Sequence, residues 1–239
     1  MCGKFTQMAS WAQVVEYANL FGATVNDAER VFTPMKAVPV VHLTDDQSKR
    51  LATPMVWGFT DRKRDARRIP KHMHARGETV DRLPTFAEAF RYRRGITFAT
   101  SFNEGKEAEV LYDDGTPSGK KWTQQWVIKR KDEKPIIIGV IYDVFHVDPA
   151  RGDEYEFVQV TTPANGVIAP VTDRMPLLLR EEDIAVWLGE TKAPIEDVKA
   201  LIKTYEFDPA EWDIWIEDPS KRPPRPRKPK DKPPQPDLF

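Results

Sequence analysis

The most reactive group in the sequence stands at its second position. Met1-Cys2-Gly3-Lys4 places a cysteine, the only one among 239 residues, directly after the initiator methionine. Cysteine is small enough at that position for the methionine to be trimmed, which exposes an α-amine and a β-thiol on one residue. An α-amine has a pKa of about 7.7–8, so a useful fraction is neutral at physiological pH. A thiol, near 8.5, ionises more readily beside cations. Such a 1,2-aminothiol condenses with an aldehyde to a Schiff base and closes to a thiazolidine, which no internal cysteine can do. A lone internal cysteine is more often a small buried hydrophobe. Position, not residue type, therefore singles out Cys2.

Cations supply the second candidate feature. Arg62, Lys63, Arg64, Arg67, Arg68, Lys71 and Arg76 fall within fifteen residues, and Arg91, Arg93 and Arg94 follow. Such a cluster suits phosphate contacts, and it equally suits a solvated surface. The charge balance is uneven. Residues 219–239 hold seven basic and two acidic side chains, a net +5, which leaves −6 on residues 1–218 of a chain whose total is −1. A mildly acidic body argues against a non-specific DNA binder. A single cysteine excludes an internal disulfide and a cysteine-based zinc site, points to a reducing cytoplasm, and no residue pattern implies a cofactor. No run of 18 apolar residues exists to span a membrane, and the N-terminus lacks a secretory pattern. The expected form is a monomer.

The elements that must position these groups follow from periodicity. Residues 10–20 have helical spacing, with Ser10 as N-cap. Residues 38–43 and 51–59 are predicted strands around a polar turn at 44–49. The polar, basic stretch 60–82 is expected to be a loop that could line a groove. Residues 85–93 predict a short helix capped by Thr85, and 96–102 a strand. Residues 126–130 and 135–144 are predicted to form a hairpin through the charged turn Lys131 to Lys134, with another strand at 155–161. Two helices are expected at 180–188 and 194–205, Pro194 suiting the first turn of the second. Strands outnumber helices without alternating regularly with them, so the fold class is α+β, with mixed antiparallel sheets and flanking helices.

The composition changes after Trp215. Residues 219–239 hold eight prolines and almost no apolar residue before Leu238-Phe239. A segment of this kind cannot bury a core, and is expected to be a disordered tail following a domain at 2–218.

Several motifs resemble those of one family in the same order. Met1-Cys2-Gly3-Lys4-Phe5 is similar to the MCGR(F/Y) start of the SRAP family, the SOS-response-associated peptidases or abasic-site processing proteins. Pro54-Met55-Val56-Trp57-Gly58-Phe59 is similar to its WG strand. His74-Ala75-Arg76-Gly77-Glu78-Thr79 is similar to its NAR-x-E-T motif. Thr97 to Glu104 (TFATSFNE) matches the strand that ends in the family's catalytic glutamate, and Val171-Thr172-Asp173-Arg174-Met175-Pro176 is similar to (I/V)-H-x-R-(M/R)-P. The resemblance spans about residues 2–190. It implies that Cys2 captures the aldehyde of an abasic site in single-stranded DNA as a thiazolidine. It also implies that Glu104 is the acid/base group and assists removal of Met1, and that Lys4 and Arg76 contact phosphates. Arg62, Lys63 and Arg64 stand where a DNA-supporting tryptophan usually follows the WG strand, and are taken as DNA-binding.

The chain departs from the family pattern around the reacting groups. His74 stands at the family's asparagine, and Thr172 at its histidine. The segment N-V-A-P appears as Val31-Phe32-Thr33-Pro34, and D-G-W-F-E-W as Thr100-Ser101-Phe102-Asn103-Glu104-Gly105. Either His74 supplies the missing imidazole, or it is a surface residue of a basic loop and the chain works slowly. The tail carries one more motif. Gln235-Pro236-Asp237-Leu238-Phe239 resembles the bacterial sliding-clamp-binding pentapeptide, in which Gln235 would hydrogen-bond at the rim of a pocket filled by Leu238 and Phe239. The rival to an enzyme is thus a non-catalytic DNA-binding adaptor recruited by the clamp.

Overall fold

The computed structural model describes residues 3–6, 31–60, 70–111, 117–148 and 152–217. Cys2, the expected helix at 10–20, Arg62, Lys63, Arg64 and the tail at 219–239 lie outside the described residues.

Two sheets carry the architecture. The first has five strands, β1 (Lys4–Thr6), β2 (Val31–Phe32), β9 (Ser101–Leu111), β10 (Pro117–Arg130) and β15 (Trp212–Ile216), in the order β15-β10-β9-β1-β2. The second is built on β3 (Ala37–Leu43), β4 (Arg50–Trp57), β8 (Arg94–Ala99), β11 (Ile136–Asp148) and β12 (Gly152–Pro163). Strand β12 pairs antiparallel with β11 and parallel with β4, so β12-β4-β3-β8-β11 close on themselves like a barrel. Three short strands join this sheet: β7 (His74–Arg76), β13 (Arg174–Pro176) and β14 (Leu178–Leu179). A separate two-stranded ribbon joins β5 (Phe59–Thr60) to β6 (Pro70–His72). Few helices accompany these mixed sheets, which is the expected α+β class.

Two apolar clusters hold the layers together. Phe5, Phe102 and Ile128 of the five-stranded sheet meet Val38, Val40, Met55, Trp57, Ile138, Val140 and Phe157 of the larger one. The other face of the larger sheet (Val41, Ile96, Phe98, Ile137, Ile141, Val158, Val160) packs on α1 (Ala87–Tyr92), α2 (Ile184–Leu188) and α3 (Ile195–Ala200) through Phe90, Trp187 and Val198. Adjacent residues of one strand serve different clusters because successive side chains point to opposite faces. The run Ile136 to Ile141 is buried throughout for that reason.

Several expectations are corrected. The segments at 126–130 and 135–144 are not a hairpin: β10 pairs with β9 and β15, whereas β11 crosses to the other sheet between β8 and β12. The expected strand at 96–102 is split at Thr100, whose N–H donates to the Thr6 carbonyl (2.8 Å), where the chain passes from one sheet to the other. Gly58, at φ 126°, ends β4; a Cβ there would lie 2.6 Å from Pro70 Cβ. The expected loop at 60–82 contains β6 and β7. Helix α1 is capped at Phe86 with no side-chain bond, not by Thr85. The expected helices at 180–188 and 194–205 shorten to a 3-10 turn at Glu181–Asp183 followed by α2, and to α3 with Pro194 at its N-cap.

Candidate active site

Strand β1 brings the start of the chain onto β9. Their antiparallel register pairs Lys4 with Asn103, Phe5 with Phe102 and Thr6 with Ser101. The paired residues end at Lys4 and Asn103, and Glu104 is the next residue of β9. Glu104 shares the face of Phe102 and Ile128, the face turned to the larger sheet, because it lies two residues beyond Phe102 and opposite Trp126. It is fully buried, with 0% exposure. It is not at a strand end: β9 runs on to Leu111 against β10.

A chain of rings leads from β1 to His74. Phe5 lies 5.3 Å from Trp57, and Trp57 meets His74 edge-on at 6.0 Å and stacks with Phe157 at 6.1 Å, all between ring centroids. The Trp57 indole N–H donates to the Met73 carbonyl (2.9 Å), which fixes the residue preceding His74. His74 is half-buried and pairs in parallel register with Gln159 of β12. It is therefore not a surface residue of a loop. The rings tie it to Phe5 of β1.

The remaining motif residues divide between positioning and exposure. Ala75 is buried, whereas the Arg76 side chain is exposed. Gly77 is packed against Ile202, whose Cγ2 would lie 2.2 Å from a Cβ at that position, and its N–H donates to the Thr161 carbonyl (2.8 Å). Glu78 forms a two-pronged ion pair with Arg174; the Nη2–Oε2 contact is 2.8 Å, and Nη1 bonds Oε1. Arg174 also donates to the Thr161 carbonyl (2.8 Å) and hydroxyl (3.1 Å). The hydrogen bonds from Arg174 hold the Glu78 carboxyl below its ordinary range. Two motifs almost a hundred residues apart in sequence thus lock to each other.

That lock steadies the turn bearing Thr172. Asn165, buried, accepts from the Val167 and Ile168 N–H groups and donates to the Tyr205 carbonyl. Thr172 donates its N–H to Ile168, and Ala164 donates its own to Asp173. Lys106, two residues beyond Glu104, donates to the Pro170 carbonyl (2.8 Å), joining this turn to β9. Lys4 lies on the face of its sheet opposite Glu104, and its ammonium pairs with Glu217 at 2.5 Å. A phosphate would compete with that pair. Arg76, in contrast, is an exposed residue. Among the described residues, no group of three His, Cys, Asp or Glu is gathered as a metal site, and no helix is long and apolar enough to cross a membrane.

Sequence reasoning missed the Glu78–Arg174 pair and the buried amide of Gln159. The second had a visible signal, a glutamine between Val158 and Val160 in an otherwise apolar strand interior.

Comparison with known proteins agrees with this arrangement. The family model for SOS response associated peptidase (SRAP) matches residues 1–215. The abasic site processing protein YoqW of Bacillus subtilis is 22% identical over 213 residues, covering 88% of this chain and 90% of that protein. The abasic site processing protein YedK of Escherichia coli is 26% identical over 198 residues, 80% of each. A crystal structure of a protein from Bacteroides thetaiotaomicron shares the fold, with a TM-score of 0.72 and 17% identity over 92% of this chain and 93% of that one.

Proposed function

Because the chain belongs to the SOS response associated peptidase (SRAP) family, we propose that it processes abasic sites, capturing them in single-stranded DNA as a thiazolidine on Cys2. The observation that carries this reading is Glu104, a fully buried carboxyl on β9 next to Asn103, the residue that pairs with Lys4 of β1. The relatives' names, which describe abasic site processing, support the substrate class.

Removal of Met1 hydrolyses the Met1–Cys2 peptide bond, consumes one water and frees the α-amine. That amine adds to the C1′ aldehyde of the ring-opened sugar, and the resulting carbinolamine loses water to give the Schiff base. The thiol then adds across the C=N bond: sulfur joins C1′, the proton goes to nitrogen and the five-membered ring closes. Nothing is oxidised or reduced, and one water leaves per adduct. Glu104 relays protons, taking one from the amine and delivering one to the departing hydroxyl. His74 supplies the imidazole that Thr172 cannot. Arg76 holds a flanking phosphate, with Arg62, Lys63 and Arg64 as further phosphate contacts and Lys4 sharing its ammonium with Glu217.

Incubation with an abasic single-stranded oligonucleotide, followed by a denaturing gel, tests this. The enzyme reading gives a heat-stable shifted band that Cys2→Ala abolishes while non-covalent binding stays within a few-fold. Binding without a stable band favours the adaptor instead. For either activity, Gln235, Leu238 and Phe239 would recruit a bacterial sliding clamp. Deleting residues 235–239 removes clamp binding in fluorescence polarisation under this reading, and unchanged binding refutes it.

A further inference from the structure

Gln159 is fully buried, and neither end of its carboxamide has a hydrogen-bond partner among the described residues. Its place on β12 turns it to the interior face shared with Phe157. It lies two residues beyond Phe157, which stacks on Trp57, and two before Thr161. Val158 and Val160, its immediate neighbours, serve the other cluster. Its lateral partners are Val140 on one side and His74 on the other. The amide therefore faces the space between the sheets, in register with His74, on the side to which Glu104 also turns. A buried amide with no partner weakens a fold, and an apolar side chain of the same length would serve packing better. Nothing in the packing calls for a glutamine.

The chemistry of the captured sugar supplies a partner. In a ring-opened abasic residue the C3′ and C5′ oxygens are esterified and C1′ reacts with Cys2. The C4′ hydroxyl is the polar group left free. In the closed form that oxygen is a ring ether without a proton. We propose that Gln159 is a specificity-determining residue whose carboxamide hydrogen-bonds the C4′ hydroxyl, accepting its proton at Oε1, and so selects the ring-opened, aldehyde-bearing sugar. The inference rests on the Cys2 reading. It assigns Gln159 a task distinct from the proton transfers of Glu104 and His74.

Gln159→Met removes the amide and keeps the length. Capture is followed on two single-stranded oligonucleotides: one with an abasic deoxyribose, the other with an aldehyde on a plain alkyl linker lacking the hydroxyl. The expected result is about tenfold slower capture of the first, the value of one hydrogen bond, with capture of the second unchanged and the melting temperature raised. Equal slowing on both probes, or no slowing on the first, overturns the assignment while leaving Cys2 capture standing. A lowered melting temperature, repeated in Gln159→Leu, overturns it too, because the amide would then be structural. If the wild-type protein captures neither probe, the Cys2 reading fails and this assignment with it.

Discussion

Replacing Glu78 with glutamine tests whether the two motif segments are held by the ion pair at their junction. The Arg174 side chain is only 9% exposed and that of Glu78 is 49% exposed, so one charge is largely desolvated and the other is screened. Hydrogen bonds to charged groups contribute about 1.5–3 kcal/mol each, whereas exposed ion pairs contribute about 0–1 kcal/mol. Discounting for the exposed half gives a coupling of about 1–2 kcal/mol. In a domain of this size each kcal/mol lowers Tm by about 2–4 °C. Glu78→Gln alone leaves Arg174 as a buried cation without its counter-charge, so it should cost at least as much as the double variant Glu78→Gln, Arg174→Met. Chemical denaturation of the wild type, both single variants and the double variant closes the cycle. The Glu78 pKa is depressed in the folded state. Its contribution is therefore present above its ordinary value of 4.5 and is lost as pH falls through the folded value, so the variant and wild type should converge in acid. Additive losses, with no coupling, would refute the lock.

Three further outcomes are expected. Arg76→Gln should weaken binding to single-stranded DNA of any sequence and reduce the salt dependence of log K by about 0.7; an unchanged salt slope in fluorescence anisotropy removes Arg76 from the phosphate contacts. His74→Ala should slow capture; equal rates in a quenched time course leave His74 as a packing partner of Trp57. Burial lowers the pKa of His42, whose Nδ1–H donates to the Leu43 carbonyl and whose Nε2 accepts from the Thr53 hydroxyl, each at 2.8 Å. The unfolded chain binds that proton more readily, so stability should fall as pH drops below about 6.5. In denaturation at several pH values, His42→Gln should lose that acid sensitivity over the window below 6.5, and an unaltered slope would contradict it.

Local pattern made some elements readable and left others hidden. The strands at 38–43 and 155–161, and that at 51–59 as far as Trp57, were legible because branched and aromatic residues there are bounded by turn residues. The hairpin error came from the charged segment Lys131 to Lys134, whose composition suits a tight turn but says nothing about the partner of the next strand. The uninterrupted apolar run at 136–141 was the better indicator, since an edge-paired hairpin strand with one wet face would alternate. Glu104 reads from sequence as a strand-end carboxylate, because burial of a charged residue depends on β1 and β10 flanking it, and neither pairing is encoded locally. Arg76 and Glu78 are both charged and both exposed, yet Glu78 is paired with Arg174, a partner almost a hundred residues away that local sequence does not reveal.

The central claim is most directly tested by the intact mass of the protein after incubation with an abasic single-stranded oligonucleotide, followed by alkylation with iodoacetamide. The account predicts a species equal to the chain without Met1 plus the oligonucleotide minus one water. Its sulfur should resist alkylation, because Cys2 is the only thiol and lies within the ring. Retention of Met1, or an adduct whose thiol still alkylates, would contradict capture as a thiazolidine on Cys2.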